Sequence, residues 1–505
     1  MRRTNPNFNV ATKRKTVPTS SGVGVRGPAG GQGRDPDAET RPATERSQPS
    51  AGCDEPAQHV ICITRQPAPA KLTARVGQVC RQFGVDPTPS PIQIVKDLVL
   101  HYAPGTITLI TGPSGSGKSA ILQAIEQHCP RAHAVHRAAL PINKSIVDAV
   151  GARRPLADTL QLLTACALGE PRLWLRRYDQ LSEGEQFRAV LARCIDLHLH
   201  DGRSGLLLCD EFCAVLHRRA ARAIAYNLRK LTTRMGLTLV LATSNEDLLT
   251  DLQPDQHLQL HSAAAPSLTM HQPKKKPLSL RRKLVIEPGR KRDYLEFKPM
   301  HYRQTDELGF VDCVFVLREK TSGEKLAIVV YSHPPLELSL RNRELAGRFK
   351  RNATLLNKEM RIVRRLVVHP DVRGCGLGHY LVAKTLPLVG VPYVECLASM
   401  GGVTPVFEKA GMKRIGECPM PASRTKLLEE LETLGVDAFG PDFVNQVCRR
   451  PRVRKVVAKL IYQWYQATTG AGEKRVAKQS PEFLAQAFRG LVGSQPIYYL
   501  WQRSS

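Results

Sequence analysis

No apolar run in this sequence of 505 residues approaches the ~20 residues that a helix needs to cross a bilayer. Transport by the chain alone is therefore not expected, whereas transport with a separate membrane partner stays open. The opening residues, MRRTNPNFNVATKRK, lack the apolar centre of a secretory signal. The thirteen cysteines form no C-x-x-C pair, so neither a zinc site nor a disulfide framework is indicated, and a reducing cytoplasm fits best. No internal repeat is visible. Acidic residues are few beside basic ones: 45 Asp and Glu against 73 Lys and Arg leave a formal charge of +28. Such a field favours polyanionic partners, among them nucleic acid, acidic membrane surfaces and phosphorylated cofactors.

What is present divides along the chain. Residues 1–58 are rich in Gly, Pro, Ser, Thr and Arg and bury too little apolar surface to fold, which predicts a flexible, disordered basic tail. Residues 59–265 alternate apolar strand-like runs with helical patterns, an α/β signature. Residues 266–292 read as an exposed basic linker, in which PKKKPLSLRRKLVIEPGRKR holds nine Lys and Arg and one acid. A second α/β segment spans 293–420, and 421–505 reads as a helical C-terminal extension. There SPEFLAQAFRGLV opens with Ser480 as N-cap and Pro481 at the first helical position.

The stretch TGPSGSGKSA carries the first chemistry. Gly112, Gly117, Lys118 and Ser119 satisfy G-x-x-x-x-G-K-[ST], between a β-branched run (106–110) and a helical one. The loop Gly112, Pro113, Ser114, Gly115, Ser116, Gly117, with Ala120 in the first helical turn, is read as the ATP cradle. Its N–H groups and the helix N-terminus favour phosphate. Lys118 is placed at the β- and γ-phosphates and Ser119 on Mg2+. Downstream, SGLLLCDEF ends an apolar strand in Asp210 and Glu211, a second Mg2+ ligand and a base for the attacking water.

Between them lies LSEGE (181–185). This stretch resembles the signature of ABC-type ATPases. Loop, signature and Asp-Glu strand in that order make the whole segment similar to an ABC-type P-loop NTPase. The resemblance implies a head-to-tail homodimer, with ATP held by the loop of one copy and by Ser182 and Gly184 of the other. Four features depart from the family. No counterpart of the family's Gln stands out between Lys118 and the signature, His217 stands where the family usually has an Asp, Asn245 where a His usually senses the γ-phosphate, and Phe83 is the candidate for the adenine-stacking aromatic. Loss of the His implies slow hydrolysis, nearer a switch than a pump.

A second glycine loop follows a second strand in RRLVVHPDVRGCGLGHYLVAKTL (364–386). The dinucleotide pattern G-x-G-x-x-G fails at His379. Arg373, Gly376 and Gly378 instead resemble the acetyl-CoA loop of GNAT acetyltransferases, and PVFEKAGMKRIG (405–416) resembles their closing segment. The resemblance implies a GNAT-like α+β domain that binds acetyl-CoA through Val367, Val368, Arg373, Gly374, Gly376, Leu377 and Gly378. Where that family has a tyrosine to protonate the leaving thiolate, this chain has Phe407; Tyr380, Tyr393 and Ser399 are the nearby replacements. An amine must lose its proton before it attacks a thioester. Glu395 is either that base or a structural carboxylate paired with an arginine.

The order of segments resembles ABC-type ATPases fused to an acetyltransferase-like domain. This implies an ATPase coupled to acyl transfer from acetyl-CoA, with nucleic acid, RNA or DNA, as the expected acceptor. The analogy with tRNA cytidine acetyltransferases is one of domain pairing only. An ATP-gated nucleic-acid-binding switch that only senses acyl-CoA is the competing expectation, and a protein or small-amine acetyltransferase is a third. The run 443–466 interleaves Arg449, Arg450, Arg452, Arg454, Lys455 and Lys459 with Tyr462, Trp464 and Tyr465, as a nucleic-acid surface would, or as an amphipathic helix would.

Overall fold

The structure is a computed structural model that describes residues 8–14, 57–65 and 70–503, apart from 89, 130, 201–204, 262–264, 275, 303–307, 470–471 and 494. The chain divides into two compact units, one of Met1–Ala152 with Leu175–Ser279, the other of Arg153–Trp174 with Leu280–Ser505. Among the described residues no helix is long and apolar enough to cross a membrane.

The first unit holds two sheets. Strands β1 (Phe8–Arg14), β2 (Ala57–Arg65) and β3 (Ile92–Tyr102) form an antiparallel sheet in sequence order. The second sheet contains β4 (Ile107–Thr111), β5 (His133–Ala134), β6 (Leu207–Cys209), β7 (Leu239–Thr243), β8 (Gln256–Gln259) and β9 (Ser267–Met270), in the order β5-β6-β7-β4-β8-β9. All its pairs are parallel except β8–β9. Every residue of β4, β6 and β7 is buried, as expected for central parallel strands covered on both faces. The helix Lys118–His128 packs Ile121 and Ile125 into a core shared with Ile61, Ile63 and Leu100 of the first sheet and Val240 and Leu258 of the second.

In the second unit one sheet runs through β10 (Leu284–Gly289), β11 (Val311–Glu319), β12 (Lys325–Ser332), β13 (Met360–Val368), β14 (Tyr393–Ala398), β15 (Lys413–Glu417) and β16 (Ile497–Gln502). Its order is β10-β11-β12-β13-β14-β16-β15. Only β13 and β14 run parallel. Between β15 and β16 the chain builds a helical cluster from Ala422–Thr433, Phe443–Arg449, Pro451–Thr469, Gly472–Val476 and Pro481–Val492. Their apolar faces meet around Leu431, Val457, Ile461 and Phe488.

Three expected boundaries change. Phe8–Arg14, inside the stretch read as a flexible tail, adds an edge strand to β2, while 15–56 lie outside the described residues. The basic linker is largely ordered, because its apolar residues are used: Leu278, Leu280 and Leu284 are buried, β9 and β10 join the two sheets' edges, and Asp251 accepts from Ser279 N and Oγ at 2.7 and 2.6 Å. Its cations, Lys274, Lys276, Arg281, Arg282 and Lys283, remain exposed. The helical extension ends in a strand, β16, whose run IYYLWQ is aromatic and β-branched and completes the second sheet.

Candidate functional site

In the first unit β4 delivers the chain to the glycine loop at its C-terminal edge. Gly112, Gly115 and Gly117 take φ of 150°, 80° and 100°, which bends Pro113, Ser114 and Ser116 around a concavity. A side chain on Gly112 would come within 2.7 Å of the Leu260 carbonyl. Lys118 Nζ donates to the Gly112 and Pro113 carbonyls, both at 2.7 Å. Burial pulls its ammonium below the ordinary lysine range, opposed by the charges of Asp210 and Glu211. Ala120 is buried in the helix that follows. Ser116 Oγ is buried without a hydrogen-bond partner among the described residues, and a phosphate oxygen would supply one.

Ser119, Asp210 and Glu211 line one cavity of about 330 Å3, together with Gln123, Glu126 and His136. The hydroxyl and first carboxylate suit a hard cation such as Mg2+. Glu211 sits at φ 47°, a conformation that strains a non-glycine residue, and its N–H donates to Asp210 Oδ1 at 2.9 Å.

Ser182 and Gly184 open the helix Glu183–His200 and are not among the residues lining that cavity. Ser182 is exposed, with its N–H held by Glu185 Oε2 at 2.9 Å. Phe83 ends the helix Ala74–Phe83 and is 68% exposed; the side chain that packs over Gly117 is that of Ile94. His217 caps the helix Arg218–Met235, and Asn245 N–H donates to Thr243 Oγ1 at 3.2 Å.

The second unit repeats the strand, glycine loop and helix sequence. The β13–β14 ladder stops at Val363 and Cys396 while β13 continues to Val368, so the two parallel strands part. Val367 and Val368 lie on this extension, paired on its other edge with Ile328 and Ala327 of β12. Gly374 and Gly376 take φ of 81° and 85°. Gly376 caps the helix Leu377–Thr385, and a side chain there would strike His379 at 2.6 Å. Leu377 and Gly378 are buried in the first turn of this helix.

Two of the singled-out residues turn their side chains inward, and Glu395 pairs with an arginine, the structural alternative for it. The Arg373 guanidinium points inward, to the carbonyls of Val368, Gly169 and Met300 at 3.0, 3.1 and 2.6 Å, and burial holds its pKa below the ordinary arginine value. Glu395 is completely buried on β14, bonded to Arg341 Nη1 at 3.1 Å and accepting from the Tyr498 hydroxyl at 3.0 Å. Phe407 packs with its ring centroid 5.4 Å from that of Tyr499, whose hydroxyl donates to Glu408 at 2.8 Å. Of the replacements, Tyr380 lies under Arg281 at 4.0 Å and Tyr393 packs on Phe349. Arg341, Tyr498 and Tyr499 escaped the sequence reading. The only signal for the tyrosines is the strand-like run of β16, in a region dominated by helical patterns.

No protein-family model matches the sequence. The chain is 26% identical over 209 residues to the Fe(3+) ion import ATP-binding protein FbpC 1 of Rhizobium meliloti, covering 36% of this chain and 56% of that protein. It thus spans little more than half the length of that relative. It is 28% identical over 206 residues to the lipoprotein-releasing system ATP-binding protein LolD of Novosphingobium aromaticivorans, covering 34% of this chain and 88% of that protein. The solved dimeric MJ0796, a bacterial ABC transporter cassette, aligns over 37% of this chain and 94% of its own with a TM-score of 0.29 and 19% identity. The sequence relatives are ATP-binding proteins of ABC type, and the glycine loop, cavity and parallel sheet of this segment are those of a P-loop nucleotide-binding domain.

Proposed function

We propose that this chain is an ATP-driven acyltransferase-type machine: an ABC-type ATPase that closes as a head-to-tail dimer, joined to a GNAT-like unit that takes an acyl group from acetyl-CoA to an amine on nucleic acid. The observation that carries the ATPase half is the convergence of Ser119, Asp210 and Glu211 on one cavity at the foot of the glycine loop. ATP would supply the phosphoanhydride and Mg2+ would offset the charge developing on its oxygens. Lys118 and the loop N–H groups would face the phosphates, Ser119 and Asp210 would hold the cation, and Glu211 would accept the proton of the attacking water. Ser182 stands exposed and Gly184 half-buried at a helix start, where a second copy can reach them.

The acyl-transfer half rests on the parting of β13 and β14 beside a glycine loop that opens a helix. An extended thioester arm can pair with backbone there as a strand would, and its pyrophosphate can meet the helix N-terminus. Transfer requires the amine nitrogen to attack the carbonyl carbon as the carbon–sulfur bond breaks, with one proton leaving the amine and one reaching the thiolate. The test is incubation of the full chain with labelled acetyl-CoA, ATP and cell extract, followed by fractionation. Label in RNA or DNA that requires ATP supports the reading; label in protein or small amines alone replaces the acceptor.

A second reading is favoured by two observations. Phe407 has no proton to give, and Glu395 is sealed against Arg341 and Tyr498. On that reading the second unit senses acyl-CoA and transfers nothing. Acetyl-CoA binding without label in any fraction is its expected outcome.

A further inference from the structure

The segment Arg153–Trp174 belongs to the second unit, although the chain on both sides of it belongs to the first. It contains the helices Leu156–Ala165 and Pro171–Trp174, joined by the turn Cys166, Ala167, Leu168, Gly169, Glu170. Cys166, Ala167 and Leu168 are buried, and Trp174 Nε1 donates to the Leu168 carbonyl at 2.6 Å. Ala167 is held at φ 61°, a left-handed conformation unfavourable for an alanine that persists only where its surroundings fix it. The turn is therefore a rigid piece.

That turn grips the first residue of the second glycine loop. Arg373 Nη1 donates to the Gly169 carbonyl, and Glu170 Oε2 lies 4.0 Å from the same guanidinium nitrogen. The fit is close: a β-carbon on Gly169 would stand 3.3 Å from Arg373 Cδ and 3.2 Å from Thr164 Cγ2. The remaining guanidinium bonds reach the Val368 carbonyl at the end of β13 and the Met300 carbonyl. One side chain thus ties turn, strand end and loop together. Beyond Trp174 the chain returns to the first unit, passes a short 3-10 turn, Tyr178–Gln180, and enters LSEGE.

We infer that the 166–170 turn couples the nucleotide state of the first unit to acyl-CoA affinity in the second, with Arg373 as the positioning residue. The inference rests on the ATP and acyl-CoA readings given above. Closure of a nucleotide on Ser182 and Gly184 displaces the chain just after Trp174. A rigid turn passes that displacement to the guanidinium, whose bonds set the start of the glycine loop. Coupling of this kind is reciprocal and typically amounts to about 5–150-fold in affinity.

The experiment measures acetyl-CoA affinity by calorimetry on the full chain carrying Glu211→Gln, with and without saturating Mg-ATP, and ATP affinity with and without acetyl-CoA. A change of at least about five-fold, equal in both directions, is expected. Gly169→Val and Glu170→Ala, each added to this background, should bring the factor close to one while each ligand alone still binds. Should Gly169→Val fail to fold, Glu170→Ala, which removes only a pairing at 4.0 Å, carries the test. Equal acetyl-CoA affinity in both nucleotide states overturns the coupling and leaves the acyl-CoA site standing. Full coupling in the folded Gly169→Val or Glu170→Ala protein overturns the role of the turn. Absence of acetyl-CoA binding in every state removes the acyl-CoA reading itself, and the coupling with it.

Discussion

Arg341 and Glu395 meet at 3.1 Å with neither side chain exposed to solvent. The pair is anchored on both sides: Arg341 Nη2 donates to the Pro335 and Leu336 carbonyls, and the Tyr498 hydroxyl to Glu395. Burial still dominates and lifts the Glu395 carboxyl to about 7, against the pull of Arg341 and Tyr498. A carboxyl whose folded pKa exceeds its unfolded value binds its proton more tightly when folded. Its stabilising contribution is full below the unfolded value of about 4.3 and is lost as pH rises through about 7. The melting temperature of the wild-type chain is expected to fall more steeply between about pH 5 and about pH 8 than that of Glu395→Gln. Identical slopes in scanning calorimetry would show that Glu395 is not the titrating group. Arg341→Leu, which strands the carboxylate, should cost about 3–5 kcal/mol at high pH.

The first glycine loop was legible because its function is written in contiguous residues. Gly112, Gly117, Lys118 and Ser119 are fixed by backbone geometry that few other residues allow, and the flanking strand is β-branched. Glu211 was legible for the same reason, at the end of a short apolar strand. Arg341 was not, since one arginine among 73 basic residues carries no local mark and becomes singular only when folding seals it against Glu395. The 153–174 segment was hidden more deeply. Its helical pattern reads like its neighbours', and it joins the second unit through contacts with residues far along the chain, the Gly169–Arg373 bond among them. The linker misled because nine cations masked three leucines that are buried.

Replacing Glu211 with Gln should leave ATP binding intact and remove the base for the attacking water. On the proposed sandwich arrangement, in which Ser182 and Gly184 serve another copy, the variant is expected to accumulate as an ATP-bound dimer. Light scattering in saturating Mg-ATP checks this directly. A mass that stays monomeric would rule out the sandwich arrangement.

Gly376→Asp should abolish acetyl-CoA binding. At φ 85° a side chain is strained, it meets the His379 ring, and the added carboxylate opposes the pyrophosphate at the helix start. Gly378→Ala is the milder comparison, because its added carbon finds only ordinary contacts of 3.5–3.6 Å with Val368, Leu366 and Val406. Calorimetry on both, with circular dichroism to confirm folding, separates a lost site from a lost fold. Wild-type affinity in folded Gly376→Asp would refute the assignment.

The helix Pro451–Thr469 makes the nucleic-acid expectation specific to a face. Arg452, Lys455, Lys459 and Tyr462 recur every three or four residues and all are exposed, Tyr462 at 43%. Tyr465 is buried and Trp464 packs against the helical core, so their rings belong to stability. If the exposed face tracks phosphates, affinity must fall with salt, with a log–log slope of about −0.9 per neutralised phosphate on duplex and about −0.7 on single strands. Changing Arg452, Lys455 and Lys459 together to Ala should flatten that slope by about two to three such increments. Replacing Lys274, Lys276, Arg282 and Lys283 tests the exposed cations near β10 independently. Arg281 is left in place there because it also stacks on Tyr380. Tyr462→Ala should weaken single-strand binding by about 1–3 kcal/mol at unchanged melting temperature if its ring stacks on a base. Trp464→Ala should do the reverse, lowering the melting temperature through its lost packing while sparing affinity in the folded protein. Filter binding and calorimetry at several salt concentrations read all four variants. Salt-independent affinity, or none at low salt, would assign these cations to a solvated face with no nucleic-acid partner.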